Sequence, residues 1–275
     1  GFGTFDGVLT KAFWNPHIEG QFSGEHMRAW DVDWGRGTGK AVIENNYADI
    51  TDGVFFGHYP GSRIDTAGRY SLGYPRKDKG REIDARINVQ RWPLVELRHA
   101  FYMDLWPVDG LGSAELHLYG EYERPDGFGS LRIDNGSAWE ESFDYATADL
   151  RFEYAGVRVD GIELHKSTGI VRGAAFADWH SETYSFNADG QRIPVESIDN
   201  WRYPTVPFSG MLQFTANGTG SFLDPTYEAR GSIADLYAGD EGVGQVTARI
   251  RYVKETIVVE QLEARAGRGL DLGAE

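Results

Sequence analysis

Residues 82–90, EIDARINVQ, alternate without a break: Ile83, Ala85, Ile87 and Val89 fall on one side of an extended chain, and Glu82, Asp84, Arg86, Asn88 and Gln90 on the other. Successive side chains of a strand point to opposite faces, so this period marks a half-buried β-strand and does not fit an amphipathic helix. The same grammar returns in TADLRFEY, with Ala148, Leu150, Phe152 and Tyr154 apolar, and in QVTARIRYV, with Val246, Ala248, Ile250 and Tyr252. Strands of this kind belong in antiparallel sheets with one solvated face, whereas buried parallel strands read as continuous apolar runs. Composition agrees: 35 glycines and 13% aromatic residues in 275 positions suit many short connections between Tyr-, Phe- and Trp-bearing strands.

The clearest turn signals are Asn135-Gly136, Asp160-Gly161, Asp189-Gly190, Asn217-Gly218 and Gly239-Asp240, which predict a long meander of hairpins. The chain also repeats itself. Gln90-Arg91-x-Pro93 recurs as Gln191-Arg192-x-Pro194, 101 positions on, and Pro107-x-x-Gly110 recurs as Pro207-x-x-Gly210, 100 positions on. Pro16, Pro125 and Pro225 each follow an aromatic residue by three positions, at Phe13, Tyr122 and Phe222. Val157, Val159, Ile162 and Leu164 match Ile257, Val259, Leu262 and Ala264 at a constant offset of 100. Both copies step by three in the middle instead of two, which predicts a turn or bulge there, since one extra residue otherwise sends the next apolar side chain to the wrong face. The repeats run over 1–109, 110–209 and 210–275. Each of the first two ends in a short connector, near 93–106 and 194–203: after Pro93 at a first helical position Leu94, Leu97 and Phe101 follow helical spacing until Pro107, and the later copy is weaker, with Val195, Ile198 and then Pro204.

Several classes of chemistry are disfavoured. A formal charge of −15, with no cluster among the 27 Lys and Arg, argues against a nucleic-acid partner. The absence of cysteine excludes disulfides and thiolate metal sites. Seven dispersed histidines, with no pair four apart and no HExxH, predict no metal site and no cofactor. In WDVDW, residues 30–34, alternation puts Asp31 and Asp33 together on a solvated strand face. GRGTGK, residues 35–40, lacks the Ser or Thr of a phosphate loop and reads as a glycine-rich turn. Asn135-Gly-Ser and Asn217-Gly-Thr fit the glycosylation pattern but also fit ordinary hairpin turns. No catalytic constellation emerges, so no enzyme is expected. No apolar run approaches the roughly 18–20 residues of a membrane span, the start lacks the features of a signal peptide, and both ends read as cuts through a longer chain.

Repeats of about 100 residues, each with a Pro-bounded connector, a Pro-x-x-Gly opening, an aromatic-x-x-Pro element and alternating strands, resemble the translocation and assembly module TamB family and its AsmA-like relatives. The resemblance extends over nearly the whole chain. It implies an all-β fold: an elongated repeat of antiparallel strands curled into a U-shaped hydrophobic groove, a β-taco, with short helical connectors. It further implies a periplasmic position in a didermic bacterium, within a protein anchored in the inner membrane and reaching towards the outer membrane. Its cargo would be phospholipid acyl chains, and its partner an outer-membrane β-barrel assembly protein met through regions outside this sequence.

Elementary physics leads to a compatible picture. One-faced strands with few helices to cover them must meet another sheet, curl, or hold a ligand. About 20 strands spaced ~4.8 Å apart make a trough on the order of 90 Å long. The lining expected for it is Ile83, Ala85, Ile87, Val89, Leu150, Phe152, Tyr154, Val246, Ala248, Ile250 and Tyr252. Two rival readings are a surface β-sandwich array that binds polysaccharide or another cell, and a β-rich glycan-cleaving enzyme using acids such as Asp31 or Asp33.

Overall fold

The computed structural model describes residues 1–11, 14, 16–29, 31–71, 81–100, 103, 104, 107–122, 124–154, 156–201, 206–253 and 256–266. Phe13, Trp30, Phe101 and Pro204, singled out above, lie outside the described residues. The described residues are mostly strand. Its elements are β1 (Phe2–Thr10), β2 (His17–Glu25), β3 (Arg28–Ala29), β4 (Val32–Asp33), β5 (Arg36–Glu44), β6 (Tyr47–Phe56), β7 (Arg63–Ser71), β8 (Glu82–Pro93), α1 (Leu94–Ala100), β9 (Val108–Glu121), β10 (Arg124–Ala138), β11 (Glu141–Glu153), β12 (Gly156–Lys166), β13 (Gly169–Asp178), β14 (Thr183–Pro194), two 3₁₀ turns (Val195–Ser197 and Asp199–Trp201), β15 (Phe208–Ser221), β16 (Pro225–Ala238), β17 (Glu241–Val253) and β18 (Thr256–Arg265). Strands pair in chain order in one open 16-stranded antiparallel sheet that begins at β1 and stops at β18, with β3 and β4 forming a separate small hairpin between β2 and β5. Among the described residues no helix is long and apolar enough to cross a membrane.

The sequence repeat is visible as a repeat of elements. β9 starts at Val108 and β15 at Phe208, β11 at Glu141 and β17 at Glu241, and β12 at Gly156 and β18 at Thr256. The step of three in the last of these strands is a bulge: Arg249 pairs with Gln261 and Ile250 with Val259, which leaves Glu260 as the extra residue.

Most of the expected glycine turns are not turns. Asn135-Gly136, Asp160-Gly161, Asp189-Gly190 and Asn217-Gly218 lie inside β10, β12, β14 and β15, and only Gly239-Asp240 closes a hairpin. GRGTGK, read above as a turn, mostly forms the first half of β5. The reason is packing. Gly190 pairs with Phe214, and Gly218 with Phe186. A Cβ on Gly190 would lie 2.2 Å from Phe214 Cε1, and one on Gly218 2.4 Å from Phe186 Cε1. In β5 a Cβ on Gly39 would lie 2.8 Å from Phe22 Cζ and one on Gly37 2.8 Å from Phe55 Cε1. At these four positions the glycine makes room for an aromatic ring lying across the neighbouring strand. Two of the tight turns fall at Asn45-Asn46 and Trp139-Glu140, where both central residues have positive φ (54° and 68°; 49° and 67°), as a two-residue hairpin turn matched to strand twist requires.

The chain divides into two compact units, Gly1–Ser137 with Thr147–Val159, and Ala138–Ala146 with Asp160–Glu275. In the first unit, Ile64, Val89 and Trp92 form a buried cluster against which Trp34, Phe55, Ile87, Leu97 and Ala114 pack. Trp92 is fully buried, and its ring centroid lies 5.7 Å from that of Trp34. Burial of side chains this large contributes about 1.5–3 kcal/mol or more apiece. The helix α1 continues directly from β8 after Pro93, as its Leu94 and Leu97 spacing predicts.

In the second unit the equivalent connector is two 3₁₀ turns rather than a helix. Ser197 Oγ–H donates to the Pro194 carbonyl at 2.6 Å, and Ile198 is extended (φ −76°, ψ 113°), so the first turn cannot propagate. Ile193, Val195 and Phe143 are buried apolar residues of this unit.

Candidate functional site

The first unit contains a cavity of about 990 Å³ with a predominantly apolar lining. Its wall is built from cross-strand rows that alternation sends to one face. Ile64 on β7, Val89 on β8 and Ala114 on β9 form one row, and Thr66, Ile87 and Leu116 form the next. Ile83 lies further along β8, Leu150 comes from β11, and Leu94 and Leu97 reach in from α1. Exposure along β8 follows the expected parity: Glu82, Asp84, Arg86 and Gln90 are exposed, while Ala85 is fully buried and Val89 nearly so.

Two polar groups of the wall, Thr66 and Tyr70, pair with each other. Thr66 Oγ1 donates to the Arg86 carbonyl at 3.3 Å and is also hydrogen-bonded to the Tyr70 hydroxyl. Burial pushes the Tyr70 phenol above its ordinary pKa, so it stays neutral. A volume at the upper end of the ~300–1,000 Å³ range of ligand pockets, with a predominantly apolar lining, suits a long apolar ligand better than a polar metabolite.

Of the eleven expected lining residues, Ile83, Ile87, Val89 and Leu150 line this cavity. Phe152 is half-buried on β11 in the same unit. Tyr154 departs from the expectation: β11 ends at Glu153, and Tyr154 sits in the following turn with φ 55°, 83% exposed. The positive φ breaks the parity that alternation alone extends to it.

Val246, Ala248, Ile250 and Tyr252 lie on β17 in the second unit, with Ile250 paired to Ala229 and Tyr252 to Tyr227. Here the apolar face is an aromatic stripe. The Tyr227 and Tyr252 rings stack 5.0 Å apart, and Phe186 and Tyr184 follow at 5.9 and 6.2 Å from Tyr227. The opposite face carries polar side chains, including Gln191, Gln213, Arg230, Thr247 and Arg249 around a shallow depression.

The acids of WDVDW do not share a strand face. Asp31 is exposed in the turn between β3 and β4 with φ 60°, and Asp33 ends a two-residue strand. The Gly35 N–H donates to Asp33 Oδ1 at 2.9 Å, His26 Nδ1 lies 3.1 Å from Oδ2, and His58 Nε2 lies 3.3 Å from Oδ1. The backbone N–H and then the two imidazoles hold the Asp33 carboxyl down at about 2. His26, Asp33 and His58 are the one group of potential metal ligands found together among the described residues. His26 and His58, dispersed in the sequence, meet here in space. Nothing in local spacing brings His26 and His58 together; the pairing of β2 with β5 and of β5 with β6 does.

A second polar cluster anchors the connector of the second unit. Lys166 Nζ donates to Asp199 Oδ2 at 3.0 Å, to the Ser142 carbonyl at 2.6 Å and to Glu141 Oε1. Glu141 in turn accepts from the backbone N–H of Asp199 at 2.9 Å. Hydrogen bonds from the Ser142 hydroxyl and N–H, then from Lys166, hold the Asp199 carboxyl well below the usual carboxylate range. The arrangement pins the 3₁₀ turns to the start of β11.

Comparison with protein families, curated proteins and solved structures finds no match to the chain.

Proposed function

We propose that this chain belongs to a TamB- or AsmA-like envelope protein in which the apolar face of the sheet holds phospholipid acyl chains in transit between the two membranes of a didermic bacterium. The observation that carries the reading is the 990 Å³ cavity of the first unit, whose wall on β7, β8 and β9 is made by residues of one strand parity. An acyl chain gains roughly 0.8 kcal/mol per buried CH₂, so crossing water bare is prohibitive, while a wall of repeated Ile, Leu and Val offers no single deep well to trap it. The aromatic stripe of the second unit offers the same kind of contact. The outer parity, with its share of the −15 charge, serves solubility.

On this reading the protein is a carrier and not an enzyme, its place is the periplasm, and any role in assembling outer-membrane β-barrels runs through other parts of the full protein. One open sheet, with the small β3–β4 hairpin the only other sheet among the described residues, supports a groove over a sandwich array. Asp33, engaged by two imidazoles and a backbone N–H, is poorly placed as a glycosidase acid.

The test is site-specific photo-crosslinking in cells. A crosslinker at Ile87 should capture phospholipid and one at Arg86 should not, because the two positions face opposite sides of β8. Equal capture from both, or from neither, sinks the proposal.

A further inference from the structure

We propose that His26, Asp33 and His58 form a binding site for a divalent transition metal of the Zn²⁺ class at the rim of the first unit's cavity. This assignment is independent of the lipid reading. The three side chains each present one ligand atom, and these atoms lie within 4.8 Å of one another. Zn²⁺ takes imidazole nitrogen at ~2.0–2.1 Å and carboxylate oxygen at ~2.0–2.2 Å, so neighbouring ligand atoms in a tetrahedral site stand about 3.3 Å apart. The carboxylate-to-imidazole separations, 3.1 Å from His26 to Oδ2 and 3.3 Å from His58 to Oδ1, run to the two different oxygens of Asp33, so a shared ion takes both oxygens or draws one imidazole across by about an ångström.

The frame supporting these ligands is well tied. His26 precedes the β3–β4 hairpin and Asp33 ends it, and the base is closed by Met27 N–H to Gly35 carbonyl at 2.9 Å and Trp34 N–H to Met27 carbonyl at 2.8 Å. His58 comes from the β6–β7 loop, which is fixed by Gly57 N–H to Ser62 carbonyl at 3.2 Å and by Ser62 Oγ–H to the Arg91 carbonyl at 2.9 Å. The Gly35 N–H orients the carboxylate from behind, the outer-shell contact that metal-binding carboxylates use.

Two imidazoles and one carboxylate favour Zn²⁺ and its neighbours over Ca²⁺ or Mg²⁺, which prefer all-oxygen sets. The His26 and His58 side chains are 63% and 52% exposed, so a bound ion keeps a solvent-facing position. Because His26, Met27, Arg28 and Trp34 also line the cavity, a metal here staples the hairpin to the β6–β7 loop at the cavity's edge. One charge opposes it: Arg28 Nε lies 3.9 Å from Asp33 Oδ2 and competes with a bound cation for the carboxylate.

The experiment is a Zn²⁺ titration of the purified chain against a chromophoric chelator at about pH 7.5, where unperturbed imidazole is neutral. One Zn²⁺ per chain should bind. His58→Ala and Asp33→Asn should each weaken it by at least about tenfold, and Arg28→Gln should tighten it severalfold by removing the competing cation. The gain in Arg28→Gln cannot arise from misfolding, and circular dichroism checks the other two. Absence of a stoichiometric site, binding unchanged in His58→Ala, or binding unmoved in Arg28→Gln would each overturn the assignment and leave a simple His–Asp ion-pair cluster.

Discussion

Replacing Ile87 by Asp puts a carboxylate in the middle of the cavity wall, between Thr66 on β7 and Leu116 on β9. In the ligand-free protein the cost is moderate, because the cavity is open and Ile87 is only half-buried. An acyl chain lying along the wall must strip water from the new group, and an unpaired polar group in an apolar setting costs at least about 2 kcal/mol, more when charged. Affinity for a fluorescent long-chain acyl probe should therefore fall by about 30-fold or more. Ile87→Ala removes three carbon groups at ~0.8 kcal/mol each when fully in contact. Half contact makes that about 1 kcal/mol, or roughly fivefold. Arg86→Asp changes more charge but faces the other side, and should leave affinity within about twofold of wild type. Ile87 also packs against the Ile64–Val89–Trp92 cluster, so each variant must first show native circular dichroism and a cooperative thermal transition. Equal losses in Arg86→Asp and Ile87→Asp, or no loss in a folded Ile87→Asp, would refute the reasoning that one strand parity forms the ligand surface.

Trp92→Ala should destabilise the first unit by about 3–5 kcal/mol in urea unfolding, because a fully buried indole leaves a cavity. Trp92→Phe should cost clearly less, since it also removes a buried Nε1–H that has no hydrogen-bond partner. Gly68→Ala should lower the thermal midpoint: Gly68 has φ 126°, and a Cβ there would lie 1.9 Å from the Asp84 carbonyl oxygen, so an unchanged midpoint would contradict the backbone placement. The carboxyls of Asp33 and Asp199 are held below their unfolded value near 3.9, so the stability they contribute is fully present above that pH and is lost as pH falls through the folded values, between about 4 and 2 for Asp33. Asp199→Asn should accordingly flatten the acid limb of a midpoint-against-pH curve, whereas an identical limb would mean the Lys166 cluster contributes nothing.

The strands were legible because alternation is a local signal. Ile83 to Val89 need no knowledge of partners to declare a face, and the bulge at Glu260 was foreshadowed by the step of three from Val259 to Leu262. The glycines were misread because their reason is not local. Gly218 is small on account of Phe186 and Gly39 on account of Phe22, residues on neighbouring strands that the register alone brings opposite. WDVDW misled in the other direction: its alternation is real in sequence but is cut by a turn at Asp31. The His26–Asp33–His58 cluster was invisible for the reason the glycines were. It joins a hairpin to a loop 25 residues beyond Asp33, and a signal could have come only from knowing that β2, β5 and β6 are consecutive neighbours.

Native mass spectrometry of the chain, purified from a bacterial host without detergent extraction and released gently from solution, tests the central claim most directly. The account predicts bound species with the masses of phospholipids, retained by wild type and Arg86→Asp and absent or strongly reduced in folded Ile87→Asp. Bare protein in every case, or phospholipid retained equally by all three, would contradict it.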